Sequence, residues 1–163
     1  MSGISEQRQT EATIKEETVK IVRSVESETR RAPSEWFTGT VWMEAAPAGS
    51  SPDVGVFRVS FEPGARTNWH THPEGQILHV IAGAGRAATE GGPVTEIKTG
   101  DVVYFAPNEK HWHGAASDAF MVHLAINPAA NSDGGTAWLE PVSDEQYEEN
   151  AQPAPSRASR PTG

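Results

Sequence analysis

Histidine pairs are the residues of this sequence whose spacing points most directly to chemistry. All six histidines of the 163-residue chain lie between positions 70 and 123. Four of them form two His-x-His pairs, His70 with His72 and His111 with His113. Side chains two positions apart on a strand share a face and stand about 6.6 Å apart, so each pair can direct two imidazoles at one ion. The spacing predicts a metal or acid–base site in the middle of the chain.

Three more polar residues extend this set. Gln76 opens the strand after the first pair, His123 lies on the last apolar strand, and Asn127 follows on the same face four residues later. The remaining histidine, His79, has the opposite parity to Gln76 and is predicted to lie on the outer face or at an interface.

The chain contains no cysteine, which excludes disulfides, thiolate metal ligands, cysteine nucleophiles and iron–sulfur clusters. A metal site built from the residues above therefore has only nitrogen and oxygen ligands. Such a site suits Mn, Fe, Co, Ni or Zn, and the affinity order of these metals does not choose among them.

Charge and hydropathy narrow the class of partner. Thirteen Lys and Arg against twenty-two Asp and Glu give a net charge of −9, which argues against nucleic acid or an anionic membrane as the main partner. No apolar run approaches the roughly 18 residues of a membrane helix, and the N-terminus lacks the pattern of a signal peptide. We expect a cytoplasmic protein that acts on a small molecule.

Short strands must position the histidines. The middle of the chain alternates short apolar runs with Gly, Pro and Asn turn signals, which is typical of an antiparallel β-sandwich or barrel. A last strand and a helical turn, with Ser143 as its N-cap, are expected within residues 138–149. The predicted strands are 19–25, 37–44, 54–61, 67–72, 76–82, 85–89, 95–98, 102–105, 111–116 and 119–127.

The ends of the chain differ in composition from the middle. Residues 1–18 are rich in Glu, Gln, Thr and Lys and are predicted to form a flexible arm. Residues 151–163 contain three prolines and no large apolar side chain, which predicts a disordered tail. One domain is therefore expected over residues 19–150.

The spacing around the first histidine pair resembles that of the cupins. Their first motif is a Gly, five residues, His-x-His, three or four residues, Glu, six residues and a Gly. The sequence follows this pattern from Gly64 through His70 and His72 to Gly83, except that Gln76 replaces the Glu. The second motif is matched less fully.

That second motif runs from Gly100 through Pro107 to His111, with Glu109 where a Gly is usual. Together the motifs cover residues 64–114. The resemblance implies an all-β, cupin-type antiparallel β-barrel (a double-stranded β-helix, or jelly roll) with polar tails. It also implies one divalent ion per chain in the barrel mouth, and the ligands that it implies are His70, His72, Gln76 and His111.

The glutamine changes the charge of such a site. A neutral Gln76 leaves the full +2 on the ion, whereas the usual Glu would reduce it to +1. The more positive site is a stronger Lewis acid and holds anions more firmly. It also disfavours the higher-valent iron states of oxygen chemistry.

Several segments are similar to the bacterial cupin hydroxynitrile lyases, which carry the same Gln and use manganese to cleave or form (R)-cyanohydrins such as mandelonitrile. These segments are residues 35–41, 61–67, 109–116, 123–126 and 144–147. The resemblance implies manganese as the first choice of metal. The catalytic residues that it implies are Thr67, His113 and His123, and it implies Val59 as a wall of the substrate pocket.

One position departs from those lyases. Asn127 stands where the family has a Gln that reaches the pocket, so the identity of the substrate is open. Phe57, Val59 and Leu78 would make the rest of the pocket mostly apolar, which suits an aryl or alkyl aldehyde.

The chemistry of the residues agrees with a lyase. Strand parity places His113 beside the ion without requiring it as a ligand, and His113 can then act as general base. His123 can protonate or hold the departing cyanide, although the two roles can be exchanged. The alternatives are a cupin dioxygenase-type oxidoreductase and a non-catalytic cupin that binds a small molecule. Open barrel edges predict a homodimer or homotetramer.

Overall fold

The computed structural model describes residues 21, 23–46, 54–128 and 135–153. Within this part of the chain a short 3-10 turn, Ser24–Glu26, is followed by twelve strands and one helix, α1 (Asp144–Glu148). The protein is therefore an all-β barrel, as predicted. The strands are β1 (Thr29–Arg31), β2 (Phe37–Thr38), β3 (Val41–Ala46), β4 (Val54–Phe61), β5 (Arg66–Thr67), β6 (His70–Thr71), β7 (Gln76–Thr89), β8 (Thr95–Lys98), β9 (Val102–Phe105), β10 (His111–Ala115), β11 (Met121–Pro128) and β12 (Ala137–Trp138).

Strand β7 belongs to both sheets of the barrel. In the first sheet the antiparallel order is β1-β3-β4-β11-β7-β9. In the second sheet it is β2-β5-β10-β7-β8, and β6 pairs with β10 on one side and with β12 on the other. The inward faces of both sheets line one interior, so residues from β4, β6, β7, β10 and β11 can meet there.

A glycine makes the passage of β7 from one sheet to the other possible. Gly83 has φ +79°, and a Cβ at this position would overlap the backbone carbonyl oxygen of Phe120. The pairing of β11 with β7 also shifts register between Val122 and His123. We predicted two strands, 76–82 and 85–89. The structure has one strand with a bend at Gly83, because only glycine allows this close approach.

Two apolar clusters form the core. The larger cluster fills the barrel between the sheets, and the smaller one packs between the barrel and α1. The larger consists of Phe37, Val41, Val59, Phe61, Ala65, Leu78, Val80, Ala87, Ile97, Phe105, Ala115, Met121 and Ala125. The smaller consists of Trp69, Ala88, Val94, Trp112, Val142 and Tyr147.

Tyr147 fastens the C-terminal helix to the barrel. Its hydroxyl donates to the carbonyl oxygen of Ala115 at 2.8 Å. The guanidinium groups of Arg66 and Arg86 lie over its ring, 4.6 Å and 5.1 Å from the centroid. Ser143 caps the helix as predicted, because its side chain accepts from the Gln146 N–H in a capping box.

Some predicted strands have the bounds seen in the structure, and others do not. Strands 54–61, 95–98 and 102–105 have the predicted bounds. The predicted strand 67–72 is divided into β5 and β6, and β1 was not predicted. Of the predicted strand 19–25, residues 19, 20 and 22 lie outside the described residues. The other four residues are not in a strand, and the last two of them belong to the 3-10 turn.

The domain boundaries remain predictions. Residues 1–18 and 154–163 lie outside the described part of the chain. Gln152, which we placed in the tail, is hydrogen-bonded alongside β8: its N–H donates to Val94 and its carbonyl oxygen accepts from Glu96, both at 2.8 Å. Among the described residues no helix is long and apolar enough to span a membrane.

Candidate active site and metal centre

Neighbouring strands of the second sheet bring three of the predicted ligands, His70, His72 and His111, close together. His70 on β6 and His111 on β10 are paired residues in the ladder, and both are almost fully buried. Their ring centroids are 4.2 Å apart. The ring of His72, just after β6, lies 5.2 Å from that of His70 and 5.6 Å from that of His111. Three imidazoles therefore share a small volume inside the barrel.

Backbone carbonyl groups fix the orientation of two of these rings. Nδ1 of His70 lies 2.9 Å from the carbonyl oxygen of Asn68, and Nδ1 of His111 lies 2.7 Å from that of Glu109. An Nδ1–H that donates to a carbonyl oxygen leaves Nε2 with its lone pair. This is the arrangement that metal-binding histidines usually have.

The amide oxygen of Gln76 completes this group. Oε1 lies 3.2 Å from Nε2 of His111, and burial lowers the pKa of His111 to about 4. The ring is then neutral at pH 7 and has one N–H, which cannot serve both the Glu109 carbonyl oxygen and the Gln76 amide oxygen. With Nδ1 donating to Glu109, two lone pairs face each other, and a cation between them would satisfy both. These residues fit a divalent ion.

His113 also lies close to these rings. One ring nitrogen from each of His70, His111 and His113 lies within 4.8 Å of the other two, and all three side chains are buried. The described residues thus contain a group of three histidines that could hold a metal ion. This group includes His113, for which we predicted a role as base, and does not include His72, for which we predicted a role as ligand.

His113 also contacts a further histidine, His123. Nε2 of His123 on β11 lies 3.3 Å from Nδ1 of His113. Burial lowers the pKa of His123 to about 3, and burial together with the nearby histidines lowers the pKa of His113 well below its usual value. Both rings are therefore neutral at pH 7, and one donates to the other. Nε2 of His113 is buried without a hydrogen-bond partner in the described part of the chain.

Thr67 supports His113 through the backbone. The His113 N–H donates to Oγ1 of Thr67 at 3.1 Å, and the Thr67 side chain is buried. Because this bond uses a lone pair of the hydroxyl oxygen, the hydroxyl hydrogen remains able to donate into the site.

Nine of the eleven residues predicted for the site and its walls line one cavity of about 300 Å³. One exception is His111, which is completely buried and stacks on Phe105 with a centroid distance of 3.8 Å. The other is Leu78, whose predicted place in the pocket is wrong, because its side chain is buried in the larger core cluster. The nine are Phe57, Val59, Thr67, His70, His72, Gln76, His113, His123 and Asn127. His79 is exposed, as strand parity predicted.

The cavity has an aromatic wall that the sequence did not reveal. Trp36 and Trp138 stack with centroids 5.3 Å apart and ring planes 3° from parallel, and Trp138 lies 4.8 Å from the ring of His70. Parity with Val59 and His123 could have identified two lining residues, Phe61 and Ala125. The lining residues that we did not predict are Trp36, Phe37, Met43, Phe61, Ala125, Thr136 and Trp138.

Asn127 contacts a predicted metal ligand. Its Oδ1 accepts a hydrogen bond from Nε2 of Gln76 at 3.0 Å, and both side chains are buried. Asn127 therefore touches Gln76 as well as the cavity.

A curled antiparallel barrel with inward histidines on neighbouring strands defines a class of small β-barrel proteins. The sequence pattern of the cupin domain matches residues 57–127. An (R)-mandelonitrile lyase of Granulicella tundricola is 53% identical over 120 residues, which are 72% of this chain and 89% of that protein. The chain belongs to the cupin family.

Solved structures show the same fold. A cupin-like protein of Thermotoga maritima has 43% sequence identity and a TM-score of 0.66, with 72% of this chain and 89% of that chain covered. A polyketide cyclase of Streptomyces resistomycificus has 13% identity and a TM-score of 0.63, with 80% and 92% covered. The second likeness concerns the fold alone.

Proposed function

We propose that this protein is a metal-dependent cupin lyase that cleaves or forms (R)-cyanohydrins, that is, a hydroxynitrile lyase. The observation that carries the proposal is the His113–His123 pair, which lies beside His70, His72 and Gln76 in one mostly apolar cavity. The similarity to a protein named (R)-mandelonitrile lyase supports the same reaction.

The proposed metal ligands are His70, His72, Gln76 and His111, with manganese as the first choice of ion. When bound, a divalent ion supplies Lewis acidity, which makes it easier for a nearby substrate oxygen to lose its proton. His70 and His111 are held by the carbonyl groups of Asn68 and Glu109, so their Nε2 atoms are oriented in advance.

His113 is the proposed general base. Its Nε2 is buried and has no partner among the described residues, so it can accept the hydroxyl proton of a cyanohydrin. Nδ1 then donates to Nε2 of His123, which stabilises the imidazolium that forms. In the cleavage direction the carbon–carbon bond breaks, its electron pair leaves with cyanide, and the proton held by His113 is returned to the cyanide.

Thr67 and His123 have supporting roles in this proposal. The hydroxyl of Thr67, which accepts from the His113 N–H, donates its own hydrogen to the substrate oxygen. His123 holds the His113 ring in the required tautomer and adjoins the space in which cyanide would be released. Val59, Phe57 and Asn127 line the cavity as substrate contacts.

The dimensions and surfaces of the cavity suit an aromatic aldehyde. About 300 Å³ is enough for a single-ring substrate, and most of the lining is apolar. The stacked pair Trp36–Trp138 and the rings of Phe57 and Phe61 offer flat surfaces for an aryl group.

A cleavage assay with metal analysis tests the proposal. Full-length protein is stripped with a chelator, reloaded with Mn, Fe, Co or Zn, and assayed for metal content and for release of benzaldehyde from mandelonitrile. We expect about one ion per chain and cleavage that depends on the ion. The matched control is His79→Ala, since His79 is an exposed histidine outside the cavity.

Other outcomes would identify the alternatives. Oxygen uptake with the iron-loaded protein and no cleavage with any metal would favour a dioxygenase. Tight binding of benzaldehyde without turnover would favour a small-molecule-binding cupin. A stripped protein that takes up none of the four metals would contradict the proposed site.

A further inference from the structure

We infer that Asn127 is a positioning residue that turns the amide of Gln76 so that its oxygen, and not its nitrogen, faces the metal. This inference rests on the proposed role of Gln76 as a ligand. It assigns Asn127 a function in metal binding, in addition to its place in the substrate cavity.

A glutamine ligand has an ambiguity that a glutamate ligand lacks. The carboxylate of Glu has two equivalent oxygens, and either can bind a cation. The amide of Gln has one oxygen and one NH₂ group, and only the oxygen has a lone pair for a metal. If Gln76 rotates by half a turn about its last bond, the ligand is lost, so a glutamine in this place needs a partner that decides its orientation.

Asn127 supplies that partner from another strand. Gln76 opens β7 and Asn127 lies near the end of β11, and the two side chains meet in the barrel interior. Nε2 of Gln76 donates to Oδ1 of Asn127 at 3.0 Å, which leaves Oε1 of Gln76 3.2 Å from Nε2 of His111. The amide nitrogen faces an acceptor and the amide oxygen faces the histidine group. With Asn127 in this orientation, a flipped Gln76 amide would lose the bond to Asn127 and would direct its NH₂ group at the metal position.

Burial makes this orientation strict. Gln76 is 4% exposed and Asn127 is 6% exposed, so water offers little substitute for the bond between them. The bond also polarises the amide, because an acceptor at the N–H increases the electron density on the oxygen. The same contact therefore orients the ligand and strengthens it.

Four full-length proteins test the inference: wild type, Asn127→Leu, Gln76→Glu and the double variant. Leucine has nearly the shape of asparagine but offers no acceptor. The dissociation constant for Mn²⁺ is measured by calorimetry in the presence of a competing chelator. We expect Asn127→Leu to weaken Mn²⁺ binding about 10-fold, as substitutions behind a metal ligand do.

In the Gln76→Glu background the same substitution should change affinity by less than about 2-fold, because a carboxylate has no wrong orientation. Equal losses in both backgrounds would mean that leucine disturbs the cavity in general, and the inference would be wrong. No loss in either background would also overturn it. If wild type binds no Mn²⁺, the proposed metal site fails, and the inference fails with it.

A second variant protects the test against misfolding. Asn127→Ala also lacks the acceptor and adds no bulk, so it should show the same dependence on the residue at position 76. Thermal melting of the metal-free proteins establishes that each variant is folded. Asn127→Asp keeps an acceptor oxygen and should retain at least the wild-type affinity. A 10-fold loss in Asn127→Asp would contradict the role of the acceptor.

Discussion

Replacing His111 and His113 one at a time with phenylalanine should separate metal binding from proton transfer. Phenylalanine preserves the flat ring and removes both nitrogens, so the packing of each ring changes little. His111→Phe removes a proposed ligand whose Nε2 faces Gln76. We expect its affinity for Mn²⁺ to fall by more than about 100-fold, since changes behind a ligand already cost 10- to 100-fold. Turnover should be lost with the metal.

His113→Phe should behave differently. The four proposed ligands remain, so Mn²⁺ affinity should stay within about 10-fold of wild type. The proton acceptor is lost and Nε2 of His123 loses its partner at 3.3 Å. General acid–base catalysis contributes about 100- to 10,000-fold, and we expect a loss of that size in kcat.

Metal content and mandelonitrile cleavage, measured on the same preparations, decide between the two roles. His79→Phe is the control, because it places the same ring on the outer face of β7. The reasoning is refuted if His113→Phe loses its metal as completely as His111→Phe. The group His70, His111 and His113, whose nitrogens lie within 4.8 Å of one another, would then be the metal site. If His113→Phe keeps both metal and full rate, His113 is not the base.

Three further predictions concern stability. Because burial lowers the pKa of His123 to about 3, the unfolded state binds more protons below pH 6.5, and stability that is complete above that pH is lost as the pH falls towards 3. The free energy of unfolding, measured with urea on chelator-treated protein, should fall between pH 7.5 and pH 5. We expect this fall to be about 2 kcal/mol smaller in His123→Phe than in wild type, and equal falls would contradict this. Gly83→Ala should destabilise the folded protein by about 3 kcal/mol or more in thermal unfolding, because the new Cβ meets a backbone oxygen. The control Gly91→Ala has a similar φ and open space around the new Cβ, so it should cost about 1 kcal/mol. Tyr147→Phe should cost about 1 kcal/mol through the lost bond to Ala115, and an unchanged melting temperature would refute that.

Strand parity explains why so much of the candidate site could be predicted. His70, His111, His113 and His123 are placed by alternation along three strands, and alternation is visible in the sequence. The cupin motif spacing then indicated which of these histidines lie together. Strand alternation and motif spacing are both local patterns, so a single sequence is enough to detect them.

Contacts between distant segments could not be predicted in this way. Trp36 and Trp138 stack across a separation of about one hundred residues, and neither has a pattern around it that indicates a cavity wall. The bond between Gln76 and Asn127 joins β7 to β11, and its existence depends on the orientation of an amide. Gly83 was misjudged for a related reason, since a glycine that bends a strand has the same sequence signal as one that ends it.

The described side chains that line the cavity carry no negative charge, and this affects the net charge of the proposed metal site. No Asp or Glu lines the cavity among the residues that the structure describes, although the whole chain carries a net charge of −9. Burial lowers the pKa values of His70, His113 and His123, so these rings are neutral at pH 7, and Gln76 is neutral at any pH. The protein side chains therefore leave the charge of a bound divalent ion uncompensated. The groups that can compensate it are the anions of the proposed reaction, the alkoxide and cyanide, and in a cavity of low polarity their attraction to the ion is strong. A glutamate at position 76 would compensate half of that charge before the substrate arrives. In the proposed mechanism the glutamine, with the asparagine that we infer orients it, would keep the full charge for the transition state.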